Sequence, residues 1–424
     1  MTKSPVKGNE LYGLFLDFNP FDTDLRLKPR DERRTILAAN ANFPFELQVP
    51  AFMKAASSDG GSPVMIQFSG KALAVAGRGI GPVQSITGQS QGQSRSLSYI
   101  EALRNGARLA VAVSKTYIDT YNPPFVALAL DHFAVPDLQR AGVSPETGKE
   151  ASENGSKEIQ AYLISREKAL VMLNKAWDFA SRYRVPEPGR DDFEAWIQYL
   201  SSFAYAQAVA GFMACLEEMS PAWAMLDTEE MPPVLNYAVT RQVCDLVKER
   251  GFNTMLEAEY GSTGQAGKGQ GYVRLHGDEL HGFARQVAGF VKYTGARGIS
   301  YPIGMEHAAP SGEKHEPDVE RLEAVQREII KESGYYAPFA QHGGTGAKQL
   351  ARGLVAKNNI NTYFLVTMAQ HLLGHFTANQ ESVRQGKKGA CGSNIYISAS
   401  ESVSTAAVEK LEEAGTYGWF ACKL

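Results

Sequence analysis

The chain has 424 residues, enough for one large α/β barrel with insertions or for two ordinary domains, and enough to bury a sizeable core. Its 44% hydrophobic and 21% charged residues are those of a soluble globular protein. A net charge of −3 gives no electrostatic basis for binding nucleic acid or a membrane surface.

In chain order, residues 1–34 read as a solvated lead-in with a charged run from Arg26 to Arg34. Strand one is expected over Thr35–Asn42, a helix over Phe45–Ser57 and strand two over Pro63–Phe68. A Gly/Ser/Gln-rich loop to Gln93 and a helix from Ser96 to about Tyr117 lead to strand three, Phe125–Leu130, which ends in Asp131-His132. Between about Pro136 and Met219 the alternation pauses, and the amphipathic stretches Lys157–Tyr183 and Phe193–Glu218 read as a helical insertion serving oligomer packing or acting as a lid. The alternation resumes with strand Trp223–Leu226 ending at Asp227, helix Pro233–Arg250 and strand Thr254–Glu259. A glycine-rich loop, Gly261–Gly271, precedes helix Asp278–Thr294, strand Ile299–Met305 ending at Glu306-His307, and helix Val319–Ser333. Strand Tyr336–Gln341 runs into His342-Gly343-Gly344-Thr345-Gly346, followed by a helix-like segment, Gly346–Lys357, strand Asn359–Tyr363 and helix Phe364–Phe376.

Eight strands, each followed by a helix, give a single (β/α)8 TIM-barrel domain, with the insertion after strand three and a C-terminal extension from about 380 to 424. Catalytic groups in that fold sit at the carboxyl ends of the strands. There His132, His307 and His342 would converge, and three protein ligands with an open position suit a catalytic zinc. Glu257 and Glu259 alternate on strand five and so share its inward face, one as a ligand and the other supporting the site, with Asp131 and Asp227 on the same rim. The glycines after His342 would present backbone N–H groups to a phosphate. His371 and His375 have helical spacing but no glutamate between them, and read as packed side chains.

These residues resemble the class II, zinc-dependent fructose-bisphosphate aldolases over roughly residues 35–376. The matching stretches are Asn40-Ala41-Asn42, Gln67-Phe68-Ser69-Gly70, Leu130-Asp131-His132, Met225-Leu226-Asp227, Glu257-Ala258-Glu259-Tyr260-Gly261, Glu306-His307 and His342-Gly343-Gly344-Thr345-Gly346. The resemblance implies one divalent zinc held by His132, His307 and His342, with Glu259 as alternate ligand and Glu257 and Asp227 behind them. It implies that Asp131 handles the aldehyde oxygen's proton, and that Asn42, Ser69, Gly343, Gly344, Thr345, Asn359, Asn361 and Thr362 contact the sugar phosphate. The reaction implied is interconversion of fructose 1,6-bisphosphate with dihydroxyacetone phosphate and glyceraldehyde 3-phosphate, by a cytoplasmic homodimer or higher homo-oligomer without nucleic-acid or membrane partners.

Three departures are visible. Where the family's last strand reads Asn-Ile-Asp-Thr-Asp, this chain has Asn359-Ile360-Asn361-Thr362-Tyr363. Ser262–Gly271 lacks the family's proton-abstracting glutamate, leaving His276, Asp278 or Glu279 as candidates, and the far-phosphate arm is replaced at most by Arg384, Lys387 and Lys388. A different ketose phosphate, a TIM-barrel zinc hydrolase and a non-catalytic sugar-phosphate binder therefore stand as alternatives. The hydrolase is disfavoured because strand one carries no His-x-His pair.

Cys215, Cys244, Cys391 and Cys422 follow neither metal-ligand nor disulfide-framework spacing, so reduced thiols are expected. No apolar signal segment opens the chain and no run reaches the length of a membrane span.

Overall fold

Eight parallel strands, of which the first four are largely apolar, form in the computed structural model, which describes residues 4–78, 98–136, 138, 156–261, 272–305 and 315–421. They are β1 (Ile36–Asn40), β2 (Pro63–Ser69), β3 (Phe125–Ala134), β4 (Trp223–Asp227), β5 (Met255–Glu259), β6 (Gly298–Ser300), β7 (Ala340–Gln341) and β8 (Lys357–Ile360). The hydrogen-bonded order is β6-β5-β4-β3-β2-β1-β8-β7. A parallel bridge between Ile299 and Phe339 joins the two ends, so the sheet closes into a (β/α)8 barrel.

Because side chains alternate along a strand, the barrel residues divide into two cores. Leu37, Ala39, Val64, Ile66, Leu128, Leu130 and Ile299 face the surrounding helices. Ala38, Met65, Ala127, Ala129, Trp223, Met255 and Ala340 fill the lower barrel interior. Above Trp223 the inward positions turn polar, with Asn40, Gln67, Asp131, Glu257, Glu259, His342, Lys357 and Asn359 all buried. Gly298 on β6 makes room for the Trp223 indole, since a Cβ there would meet the ring at 2.2 Å.

Helices α2 (Val49–Ser57), α3 (Gly70–Arg78) and α4 (Tyr99–Tyr121) follow the first two strands. Ser98 caps α4 by accepting from Glu101 N, and Glu101 reaches back to Ser98 N, a reciprocal cap that fixes where the helix starts. Between β3 and β4 lie α5 (Ser156–Gln160), α6 (Arg166–Ala180), α7 (Arg190–Leu200) and α8 (Phe203–Met219), of which α8 packs against α4 and β3. Helices α9 (Pro233–Glu249), α10 (Gly277–Thr294) and α11 (Val319–Ser333) continue the ring, and α12 (Thr362–Ala378), α13 (Gln380–Arg384) and α14 (Asn394–Ala414) close it. No single helix among the described residues is long and apolar enough to cross a membrane. Cys215, Cys244 and Cys391 are free thiols, and Cys422 lies outside the described residues.

Several expected elements differ. The lead-in contains helix α1 (Gly8–Asp17), whose Leu11, Leu14 and Phe15 plug the amino-terminal end of the barrel against Met65, Ala127 and Trp223. Val6 N donates to Val126 O at 2.9 Å and Gly8 N to Asn253 O at 2.9 Å, which pins that plug. The start of the glycine-rich stretch after β2 is helical, as α3; its residues 79–97 lie outside the described residues.

No helix forms over Gly346–Lys357. A three-residue 3-10 turn, Gly344–Gly346, is followed by irregular chain, with Gly353 at φ 82° turning it back. Lys357 already pairs with Ile36 and Ala340, so β8 starts two residues earlier than the sequence suggests and Tyr363 belongs to α12. Consequently β7 has no helix of its own, and β6 is confined to three residues.

Candidate active site

Neighbours on a regular strand point to opposite faces, so an undistorted β3 could not aim both Asp131 and His132 into the barrel. Its pairing with β4 shifts, Leu130 aligning with Ala224 but Phe133 with Leu226, which leaves one extra residue on β3. His132 takes that place at φ 42°, a left-handed conformation rare outside glycine. The bulge returns Phe133 to the outer core and lets both Asp131 and His132 contribute to the mouth.

His132 Nδ1 lies 3.4 Å from Asp227 Oδ2, while His342 Nε2 donates to Glu257 Oε1 at 2.8 Å. The remaining nitrogens, His132 Nε2 and His342 Nδ1, face each other at 2.8 Å. Two lone pairs repel at that distance unless a proton or cation lies between them. Imidazoles steadied by a carboxylate on one nitrogen and converging through the other are arranged as metal-bound histidines are. Tetrahedral zinc would hold two such nitrogens roughly 3.3 Å apart, so a small opening of the pair admits the ion. His307, the third expected imidazole, and Glu306 lie outside the described residues. Among the described residues no group of three His, Cys, Asp or Glu side chains completes a metal site by itself.

The two strand-five carboxylates are both buried but engage different partners. Glu257 Oε2 accepts from Trp223 Nε1 at 2.6 Å and from Lys357 Nζ at 3.0 Å, and its other oxygen carries His342. Glu259 Oε2 accepts from Thr228 N at 3.2 Å, on the side of the mouth where Asp227 stands. Asp131 Oδ2 accepts from Asn40 Nδ2 at 2.7 Å, and Asn40 Oδ1 accepts in turn from Gln67 Nε2 at 2.7 Å. On its other side Asp131 Oδ1 meets Asn359 Nδ2 at 3.4 Å and Lys357 Nζ at 3.8 Å. One buried polar network therefore links β1, β2, β3, β5 and β8 to the histidine pair.

The charges follow from this packing. Burial would raise the Asp131 carboxyl, but His132, Lys357, His342 and Asn40 together hold it below the usual carboxylate range. Burial likewise works against Glu257 ionising, and Lys357 and His342 outweigh it so that the carboxyl is strongly lowered. Burial would lower His132, yet Asp131, Asp227 and Glu259 carry it up to about 10.

The expected phosphate residues gather at the β7 and β8 ends. Gly343 turns the chain at φ 68°, and Gly344 passes so close to β8 that a Cβ would lie 2.2 Å from Asn358 Oδ1. Thr345 Oγ1 accepts from Tyr363 N at 3.3 Å, placing the turn beside the N-terminus of α12, where Asn361 and Thr362 stand. The helix end available to an anion is therefore that of α12, not one following His342. Asn42 Nδ2 donates to Asn361 Oδ1 at 2.9 Å across the rim, and Ser69 Oγ accepts from Ala72 N at 3.1 Å as α3 begins. Tyr363 OH bonds Glu409 at 2.8 Å on α14 and is turned to that helix. Beside Asp227 opens a cavity of 450 Å³, lined by Val135, Pro136, Tyr199, Glu229 and Met231, large enough for a sugar-phosphate-sized ligand. His276 faces Glu320 at 3.5 Å on the exposed surface, with Asp278 and Glu279 exposed in the first turn of α10.

Lys357 is the residue sequence reasoning passed over, while Asn40 and Gln67 stand in the matching stretches without a role assigned to them there. A signal existed: Lys357 lies two places before Asn359 and so shares its face once β8 begins there.

The sequence profile described as fructose-bisphosphate aldolase class-II matches residues 206–418, from α8 to beyond α14, half of the chain. No curated protein matches the sequence. Among solved structures, a fructose-bisphosphate aldolase (Fba) from Campylobacter jejuni is 15% identical, covers 99% of this chain and 97% of its own, and superposes with a TM-score of 0.54. The YdjI aldolase from Escherichia coli K12 is also 15% identical, with 96% and 98% covered and a TM-score of 0.49. The first of these likenesses shows the barrel fold, and the profile match shows the lineage: this chain belongs to the class II fructose-bisphosphate aldolase family.

Proposed function

We propose that the chain is a zinc-dependent aldolase that interconverts a ketose phosphate with dihydroxyacetone phosphate and an aldehyde, most simply from fructose 1,6-bisphosphate. The observation that carries this is the convergence of His132 Nε2 and His342 Nδ1 beside an ionised, buried Asp131. His132 and His342 would hold the metal, with His307 and Glu259 as the further ligands. A divalent ion there supplies Lewis-acid stabilisation of the negative charge that develops on the ketose carbonyl oxygen.

Asp131 is ionised and accepts the C4 hydroxyl proton as the C3–C4 bond breaks; in the reverse direction it returns that proton to the aldehyde oxygen. Asn40 and Lys357 fix the carboxylate for both transfers. Ser69, Gly343, Gly344 and Thr345 bind the phosphate, helped by the positive end of α12. Asn359, held by Asp131, orients the ketose hydroxyls, and Asn42 with Asn361 and Thr362 borders them at the rim.

A related reading, a different ketose phosphate or acceptor aldehyde, is favoured by strand eight. Asn361 is tied to Asn42, and Tyr363 is engaged with Glu409, so neither supplies a carboxylate to the mouth. The hydrolase finds no support in β1, where Asn40 serves Asp131. Cleavage assays on fructose 1,6-bisphosphate and other ketose phosphates, with and without a chelator, test the proposal. Chelator-sensitive cleavage of one of them is expected; chelator-insensitive cleavage, or a lysine Schiff base trapped by borohydride, would overturn it.

A further inference from the structure

Lys357 is fully buried on the inward face of β8 and does not line the cavity beside Asp227. Its ammonium donates to Glu257 Oε2 at 3.0 Å, lies 3.8 Å from Asp131 Oδ1 and sits 5.0 Å from the centre of the Trp223 ring. Burying an ammonium is far costlier than burying an apolar chain of the same length, even when it is paired. What Lys357 holds in place therefore calls for explanation.

Glu257 shows the answer in its geometry. One oxygen, Oε2, takes two donors, Trp223 Nε1 at 2.6 Å and Lys357 Nζ at 3.0 Å. That leaves Oε1 directed at His342 Nε2 at 2.8 Å, which keeps the hydrogen on Nε2 and turns the Nδ1 lone pair toward His132. We propose that Lys357 is a positioning residue that fixes the orientation and tautomer of His342 through Glu257, so that Nδ1 is presented to the metal. This rests on the metal-dependent reading of the site. Without the ammonium, Oε2 loses a donor, the carboxylate is free to rotate, and the imidazole loses its fixed support. The direct hydrogen-bonded route from Lys357 to His342 runs through Glu257, whereas its contact with Asp131 is longer, 3.8 Å, so removing Glu257 separates the proposal from a general loss of packing.

The full chain, labelled with 15N in its histidine rings, is compared with Lys357→Met in two measurements. In the metal-free state, His342 is expected to show one tautomer, hydrogen on Nε2, in the wild type and a mixture in Lys357→Met. Zinc affinity, read by competition with a chromogenic chelator, is expected to fall by about 10- to 100-fold in Lys357→Met. In a Glu257→Gln background, adding Lys357→Met is expected to change zinc affinity less than about twofold, because the route is already cut. A folded Lys357→Met with wild-type tautomer and zinc affinity overturns the proposal, as does an equal loss in the Glu257→Gln background. Should Lys357→Met alone not fold, the double variant, which leaves no charge unpaired in this couple, is compared with Glu257→Gln. Equal zinc affinity then supports the proposal and a further loss overturns it. A wild type that fails to bind zinc would overturn the aldolase reading, and the tautomer comparison would still decide the role of Lys357.

Discussion

His132 Nε2 and His342 Nδ1 come within 2.8 Å although 210 residues separate them in sequence. Each ring is steadied from behind, His132 by Asp227 and His342 by Glu257. Loosening one ring should weaken the metal without touching the fold. Asp227→Ala is expected to lower zinc affinity by about 10- to 100-fold, measured by chelator competition. Unchanged affinity in a folded variant would show that the Asp227 contact does not steady a ligand.

Asp131 is placed to move a proton rather than to hold the metal. Asp131→Asn keeps the size of the side chain, but it has no carboxylate to accept the C4 hydroxyl proton. Turnover is expected to fall by about 10²- to 10⁴-fold with zinc content retained. A variant keeping wild-type turnover would move the proton transfer to another group.

Gly298 and Trp223 fit as a pair at the floor of the polar layer. Adding a methyl group at Gly298 places an atom 2.2 Å from the indole, and the buried ring has nowhere to go. Gly298→Ala is expected to destabilise the fold by about 1–3 kcal/mol, as overpacking does. Urea unfolding would measure it; a wild-type midpoint would mean that the indole yields more easily than its packing indicates.

The connection between β3 and β4 is latched to α4 by charge. Glu218 accepts from Arg108 at 2.9 and 2.7 Å and from Arg104 at 3.2 Å, and its carboxyl is lowered first by Arg108, against some burial, and further by Arg104. A carboxyl lowered in the folded state stabilises it fully above its unfolded value of about 4.5, and that stabilisation is lost as pH falls toward the folded value. Glu218→Gln is expected to cost on the order of 1 kcal/mol at pH 7, with the difference from wild type shrinking as the pH drops below about 4.5. A difference that stays constant with pH would assign the effect to packing.

Much of the barrel is legible in the chain because parallel strands buried on both faces leave compact apolar runs, as in Val64–Phe68 and Val126–Leu130. Helix α1 is not, since Leu11, Leu14 and Phe15, with Phe18 at its C-cap, lie in a short segment broken by Gly13 and gain their partners only from strands far along the chain. Their spacing of three, one and three is nonetheless the stripe of an amphipathic helix. The stretch before β8 reads as helix because Gln349–Lys357 mixes Leu, Ala, Arg and Lys. Tertiary pairing of Lys357 with Ile36 and Ala340 overrides that preference. The same misreading hid Lys357, for a lysine in sequence looks solvated until two carboxylates are found around it. Asp131 and His132 were legible as a pair, but the bulge that lets both face inward is not written in their neighbours.

The most direct measurement is solvent exchange of the hydroxymethyl C–H proton of dihydroxyacetone phosphate in deuterium oxide. With zinc-loaded protein, exchange is expected, to cease on chelation and to return when zinc is restored. Loaded protein that binds the compound without exchanging the proton, or exchange untouched by the chelator, would contradict a metal-dependent aldolase.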